Sequence, residues 1–179
     1  MNIVVYLAST PGTNPKIKDA AAELGQWIGA NGHTLIYGGS ASGLMGLLAK
    51  SVLDAGGKVI GIEPQFFIDS VKQLDGLTEL IPTVDMKERK AKMIEMGDAF
   101  ITFPGGVGTL DEVTEIICLN AINQIDVPCI IYNLDGYYRH LIGLFDDMKA
   151  NGIITDNRID RVKFAENLDD IRRIINDGI

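Results

Sequence analysis

Ala99-Phe100-Ile101-Thr102-Phe103-Pro104-Gly105-Gly106-Val107-Gly108-Thr109-Leu110-Asp111-Glu112 is the stretch on which the fold turns. Ala99–Phe103 is a short continuous apolar run, the pattern of a strand covered on both faces, and such strands belong to parallel sheets. Three glycines in four positions follow, and then a helical pattern from Leu110 to Ile122. Strand, tight glycine turn and helix together make half of a βαβ unit.

The same unit recurs outward in both directions. Upstream, Ile3–Ala8, Thr34–Tyr37 and Val59–Ile62 read as buried strands, and Leu80-Ile81 as a short one. Helical patterns run over Lys16–Ala30, Leu44–Leu53 and Met86–Met96, with a less regular stretch at Pro64–Gly76. Gly56-Gly57 ends the second helix as a plausible C-cap. Downstream, Val127–Tyr132 reads as a strand, Tyr137–Lys149 and Leu168–Ile175 as helices, and Val162-Lys163-Phe164 as a candidate last strand. Repeated strand–helix units with right-handed crossovers give an α/β fold: a three-layer, doubly wound, Rossmann-like sheet, mainly parallel. With no internal repeat, low-complexity tract or linker, residues 1–179 read as one domain. Ligands of such sheets lie outside the carboxyl ends of the strands, at the topological switch point, so the glycine loops on that edge are the places to look.

Composition narrows the function. Twenty glycines in 179 residues are 11%, above the usual ~7%, and imply many tight turns or close approaches. Sixteen basic against 24 acidic residues give a net charge of −8 and a pI near 4.7, which argues against a nucleic-acid backbone binder, since that affinity rests on clustered Lys and Arg. A local anion pocket can still oppose the net charge. Cys118 and Cys129 form no CxxC pair, and with only His33 and His140 no zinc spacing exists, so no metal is expected. Two thiols and no recognisable secretory leader point to the cytoplasm, and no apolar run approaches a membrane span.

The second glycine loop, Gly105 to Thr109, is the sharper of the two. Its backbone N–H groups and the positive end of the following helix, expected to begin at Thr109 or Leu110, converge as they would on a phosphate. The first, Gly38-Gly39-Ser40-Ala41-Ser42-Gly43-Leu44-Met45-Gly46, is neither GxGxxG nor a Walker A loop. A tight strand-to-helix turn and a ligand loop containing Gly39 and Ser40 are equal readings of it, and Gly46 can simply let helix and sheet approach. Glu112 also has two readings. Thr109-x-x-Glu112 fits a capping box, the reading that periodicity alone favours, while a catalytic acid or base is the other.

Arg89 stands out in Asp85-Met86-Lys87-Glu88-Arg89-Lys90-Ala91-Lys92-Met93-Ile94-Glu95-Met96. It shares a helix face with Met86, Met93 and Met96, where burial without a partner would be costly. Arg89 and Lys90 therefore need an anion: a structural carboxylate, a substrate phosphate or a catalytic carboxylate.

These residues carry a resemblance. Pro104-Gly105-Gly106-Val107-Gly108-Thr109-Leu110-Asp111-Glu112 resembles the PGGxGTxxE signature of the Lonely Guy (LOG) family, and Glu88-Arg89-Lys90 resembles the end of its Met-His-Glu-Arg-Lys segment. Tyr37-Gly38-Gly39, Gly43-Leu44-Met45-Gly46 and Asp135-Gly136-Tyr137-Tyr138 are similar to further blocks in the same order, so the resemblance spans roughly Ile3 to Ile154. It implies a phosphoribohydrolase that cleaves the N-glycosidic bond of a nucleoside 5′-monophosphate, AMP or a cytokinin riboside monophosphate, to free base and ribose 5-phosphate without a cofactor. The older family label, possible lysine decarboxylase, is rejected, because no Schiff-base lysine with pyridoxal-phosphate partners is identifiable. The resemblance implies Glu112 and Arg89 as catalytic, and Lys90, Gly105, Gly106, Val107, Gly108 and Thr109 as substrate or phosphate contacts. It also implies a homodimer with the site near the interface, to which the methionine face could contribute. Lys87 stands where the family has His, Cys118 where plant-type members have a substrate Thr, Val71 near their substrate Glu, and Ala8-Ser9-Thr10 in place of Gly-Ser-Ser. The competing reading is a non-hydrolytic module that binds nucleotide or molybdenum cofactor on the same fold.

Overall fold

A computed structural model describes residues 1–70 and 72–177. Seven strands, β1 (Asn2–Tyr6), β2 (Thr34–Tyr37), β3 (Lys58–Pro64), β4 (Glu79–Thr83), β5 (Ala99–Thr102), β6 (Cys129–Tyr132) and β7 (Val162–Ala165), form one sheet in the order β4-β3-β2-β1-β5-β6-β7. All six neighbouring pairs are parallel. The order reverses between β1 and β5, so the switch point lies at the carboxyl ends of these two strands.

The continuous apolar runs explain the three layers. Along β1, Ile3 and Val5 face one side of the sheet, where α1 (Pro15–Ala30), α2 (Gly43–Asp54) and α7 (Leu168–Asp177) pack. Val4 and Tyr6 face the other side, against α4 (Met86–Met96), α5 (Val107–Ala121) and α6 (Arg139–Ala150). Alternation of the pleat divides one run between two cores, so neither face can carry polar residues. A single helical turn, α3 (Gln65–Ile68), follows β3 inside the stretch expected to be irregular.

Helix starts depart most from the expected boundaries. The helix after the second glycine loop begins at Val107, with Gly106 as its N-cap and no side-chain cap. Thr109 therefore lies inside the first turn, and the expected Thr109–Glu112 capping box does not form. A reciprocal cap is found instead on α4. Asp85 accepts from the Glu88 N–H at 2.8 Å, and Glu88 accepts from the Val84 N–H at 2.7 Å. That closure fixes the first turn of the helix that bears Arg89.

Candidate active site

A cleft of about 710 Å³ opens at the switch point, bounded by the loops after β1, β2, β3 and β5. Three buried charged side chains line it: Arg89 from α4, Glu112 from α5 and Glu63 from the end of β3. Arg89 shares its helix face with Met93, which is wholly buried, so an aliphatic stem carries the guanidinium to the end of the sheet. There its Nε donates to the Ile62 carbonyl at 3.0 Å and its Nη1 to Glu112 Oε1 at 2.8 Å. The anion that the sequence demanded for Arg89 is Glu112.

The pair is about 90% buried on both sides. Burial moves the Glu112 carboxyl above its ordinary value, and Arg89 only partly offsets this. Desolvation is the larger influence and sets the net direction. Tyr6 lies close by, its hydroxyl pushed up first by burial and then by Glu112, and it stays neutral.

Lys90, one residue on, has a different fate. Its Nζ meets Asp111, at the edge of the cleft, at 2.9 Å and Glu115 at 3.0 Å, which ties α4 to α5. These carboxylates raise its pKa. Lys90 itself is not among the residues that line the cleft.

The two glycine loops differ in what surrounds them. A Cβ on Gly105 would lie 2.1 Å from Thr109 Oγ1, so this glycine makes room for a buried threonine. Gly106 and Gly108 face open space, and both line the cleft with Val107 and Thr109. The uncapped N–H groups of α5 therefore border an empty volume of the kind that suits an anion. In the first loop, a Cβ on Gly38 would lie 2.4 Å from Arg89 Nη2, and one on Gly39 would lie 3.0 Å from Glu63. Gly43 and Gly46 approach backbone carbonyls instead, those of Ser9 and Ala41, each at 1.9 Å from the missing Cβ. Gly46 thus accommodates its own preceding loop rather than the sheet. Of Gly39 and Ser40, only Ser40 lines the cleft, and its Oγ accepts from the Ser42 N–H at 3.1 Å.

Two features of the cleft lie beyond the site residues expected from the sequence. Glu63 was passed over, although an acidic residue closing the apolar run Val59–Ile62 is the signal that could have marked it. The Asp135-Gly136-Tyr137-Tyr138 block was noted only as a similarity. Tyr137 donates to the Gly105 carbonyl at 2.8 Å and Tyr138 to that of Phe103 at 2.9 Å, so this block clamps the backbone of the second loop. Cys118 is exposed and does not line the cleft, His33 stacks beside Trp27, His140 is exposed on α6, and Val71 lies outside the described residues. No group of three or more His, Cys, Asp or Glu able to hold a metal occurs among the described residues.

A family model described as "Possible lysine decarboxylase" matches residues 45–175. A cytokinin riboside 5′-monophosphate phosphoribohydrolase of Rhodococcoides fascians is 37% identical over 169 residues, 94% of this chain and 85% of that one. The chain belongs to the Lonely Guy family. A probable cytokinin riboside 5′-monophosphate phosphoribohydrolase of Oryza sativa subsp. japonica is 41% identical over 152 residues, covering 85% of this chain and 68% of that one. Among solved structures, the molybdenum cofactor binding protein from Rippkaea orientalis superposes with a TM-score of 0.72 at 26% identity, over 98% of this chain and 95% of that one. The Lonely Guy relatives are thus named as hydrolases, while this structural neighbour is named as a binding protein for a different ligand.

Proposed function

We propose that this Lonely Guy chain, acting as a single domain in the cytoplasm, hydrolyses the N-glycosidic bond of nucleoside 5′-monophosphates to free base and ribose 5-phosphate. The observation that carries the reading is the buried Arg89–Glu112 pair, set about one and a half helical turns from an open, uncapped helix N-terminus in the same cleft. The 5′-phosphate is held by the N–H groups from Gly106 to Thr109, with Gly105 fixing the loop. This places the ribose against Glu112.

Glycosidic cleavage leaves positive charge on the ribose, and a carboxylate on that face stabilises it. Glu112 does so through the oxygen that Arg89 does not bind, and takes a proton from the attacking water. A carboxyl raised toward neutrality by burial accepts that proton more readily than an exposed one. Arg89, anchored on the Ile62 carbonyl, holds Glu112 in register. Among the described residues, no lysine lines the cleft.

The active form is a homodimer. α5 carries an exposed stripe of Val107, Leu110, Cys118 and Ile122 beside the cleft, suited to a second copy. Of the methionine face, Met93 belongs to the core of its own chain and only Met86 is open.

A second reading, binding without hydrolysis, is favoured by the likeness to the molybdenum cofactor binding protein. The two separate on incubation of the purified protein with AMP and chromatography for adenine and ribose 5-phosphate. Hydrolysis predicts release that falls about 10²–10³-fold in Glu112→Gln, the scale of losing one transition-state electrostatic partner. Binding without release from AMP or other monophosphates would establish the carrier reading instead.

A further inference from the structure

Glu63 is 4% exposed and lines the cleft, and it forms no ion pair among the described residues. Its Oε2 accepts from Gln73 Nε2 at 2.9 Å, and no described residue donates a hydrogen bond to Oε1. The fold makes room for it. A side chain at Gly39 would press on the Glu63 carboxyl at 3.0 Å, just as one at Gly38 would press on Arg89. Gln73 is itself held against the first glycine loop, through the Ser40–Gln73 bridge and the Ala41 N–H bond to the Lys72 carbonyl. A buried carboxyl aimed into a ligand cleft and supported by a neutral amide is an expensive arrangement to keep for packing alone.

Its place in the sheet gives it a role. The uncapped N-terminus of α5 follows β5, and Glu63 ends β3, three strands away in the order β3-β2-β1-β5. At ~4.8 Å per strand this is about 14 Å, comparable to the reach of a nucleoside monophosphate from its phosphate to the far edge of its base. With phosphate on the α5 amides and ribose against Glu112, the base extends toward Glu63.

We infer that Glu63 is the general acid that protonates the departing base, an inference that rests on the phosphoribohydrolase reading. As water adds to C1′, the C1′–N bond breaks and its electron pair leaves with the base. The proton on Glu63 Oε1 passes to a ring nitrogen of the base, and Glu112 takes the proton of the water. Products are neutral base and ribose 5-phosphate; Glu63 ends as a carboxylate, Glu112 as an acid, and solvent exchange restores both. The two carboxyls are divided by their partners: Glu112 touches a guanidinium, which favours its anion, whereas Glu63 touches only an amide. The charged or titratable groups facing Glu63 are Arg89 from α4 and Tyr37 from β2, and burial outweighs Arg89 in moving its carboxyl upward.

The test compares two leaving groups in Glu63→Gln. Adenine from AMP needs a proton to depart; nitrophenolate from p-nitrophenyl ribofuranoside 5′-phosphate does not. AMP turnover is expected to fall about 10²–10⁴-fold, with nitrophenolate release within about threefold of wild type, which also reports an intact fold. Glu63→Asp, which keeps the acid on a shorter arm, recovers part of the AMP turnover. Equal losses on both substrates in a variant with wild-type circular dichroism, or AMP turnover near wild type, would overturn the assignment. Wild-type protein that releases neither adenine nor nitrophenolate would overturn the hydrolase reading, and this one with it.

Discussion

The two glycine loops look alike as sequence and do opposite things in the structure. Around Gly38–Gly46 the glycines are places where other groups have moved in: the Arg89 guanidinium, the Glu63 carboxyl, and the carbonyls of Ser9 and Ala41. Around Gly105–Gly108 only Gly105 is filled, by Thr109, and the other two border free volume. One loop is crowded because it builds the cleft's walls; the other is open, and on the proposed reading the phosphate lies against it. Glycine serves the first for what the protein puts in its place and the second for the space it leaves free.

That contrast can be broken experimentally. Gly46→Ala puts a Cβ against a main-chain carbonyl that cannot swing away, so a loss of about 3 kcal/mol is expected, a Tm lower by roughly 6–12 °C in thermal melts. Gly43→Ala adds the strain of its left-handed backbone, φ 58°, and should be worse. Gly38→Ala displaces a side chain rather than backbone. Its main effect is on turnover, about 10²-fold if the guanidinium shifts by an ångström, with a smaller change in Tm. If Gly38→Ala kept full base release, the tight fit around Arg89 would have no bearing on catalysis.

The open loop should tolerate what the crowded one cannot. Gly108→Ala lies in the first turn of α5 with nothing near its Cβ. It should leave stability unchanged or raise it by up to ~1 kcal/mol, while KM for AMP rises because the new methyl intrudes on the phosphate. A Tm drop of several degrees would show that the space is not free. The smallest effect concerns Glu63. Its folded-state pKa is raised by burial, so the native state binds the proton more tightly than the unfolded chain, and stability falls as pH rises above the ordinary carboxylate range. Glu63→Gln should therefore melt slightly higher than wild type at neutral pH, and the gap should close as pH drops to the ordinary carboxylate value. A gap that widens in acid would invert that sign.

How much of this could be read beforehand depends on what each residue answers to. Strands such as Thr34–Tyr37 and the helix Met86–Met96 fall on the expected residues because continuous apolar runs and three- to four-residue spacing are local signals. Arg89 was legible as a cation needing an anion, since its place among methionines is also local. Its pairing with Glu112, 23 positions away, was legible only through the family resemblance and not through periodicity, because it depends on how α4 and α5 meet across the sheet. The capping box failed for a related reason: Thr109 and Glu112 have the right spacing, but the helix starts two residues earlier at Val107 and Arg89 competes for the carboxylate. Arg89 and Lys90 looked equivalent as neighbours in sequence, yet a helical rotation of about 100° sends one into the cleft and the other to the surface carboxylates of α5. Glu63 and the tyrosine clamp were missed because their significance lies wholly in tertiary neighbours, Gly39 and Gln73 for one and the carbonyls of Phe103 and Gly105 for the other.

The central position of β1 has a consequence for synthesis. One flank of this strand pairs with β2 soon after it is made, but the other must await β5, and the Asn2–Asp98 hydrogen bond joins residues 96 positions apart. At about 5–20 residues per second on the ribosome, the bare edge of β1 stays unpaired for on the order of 5–20 s. Glu112 of α5, the carboxylate proposed to act on the substrate, comes later still. A nascent chain therefore displays its most apolar backbone edge before it has any chemistry to offer, and chaperone capture during that interval should depend on residues near position 100 more than on those at the start.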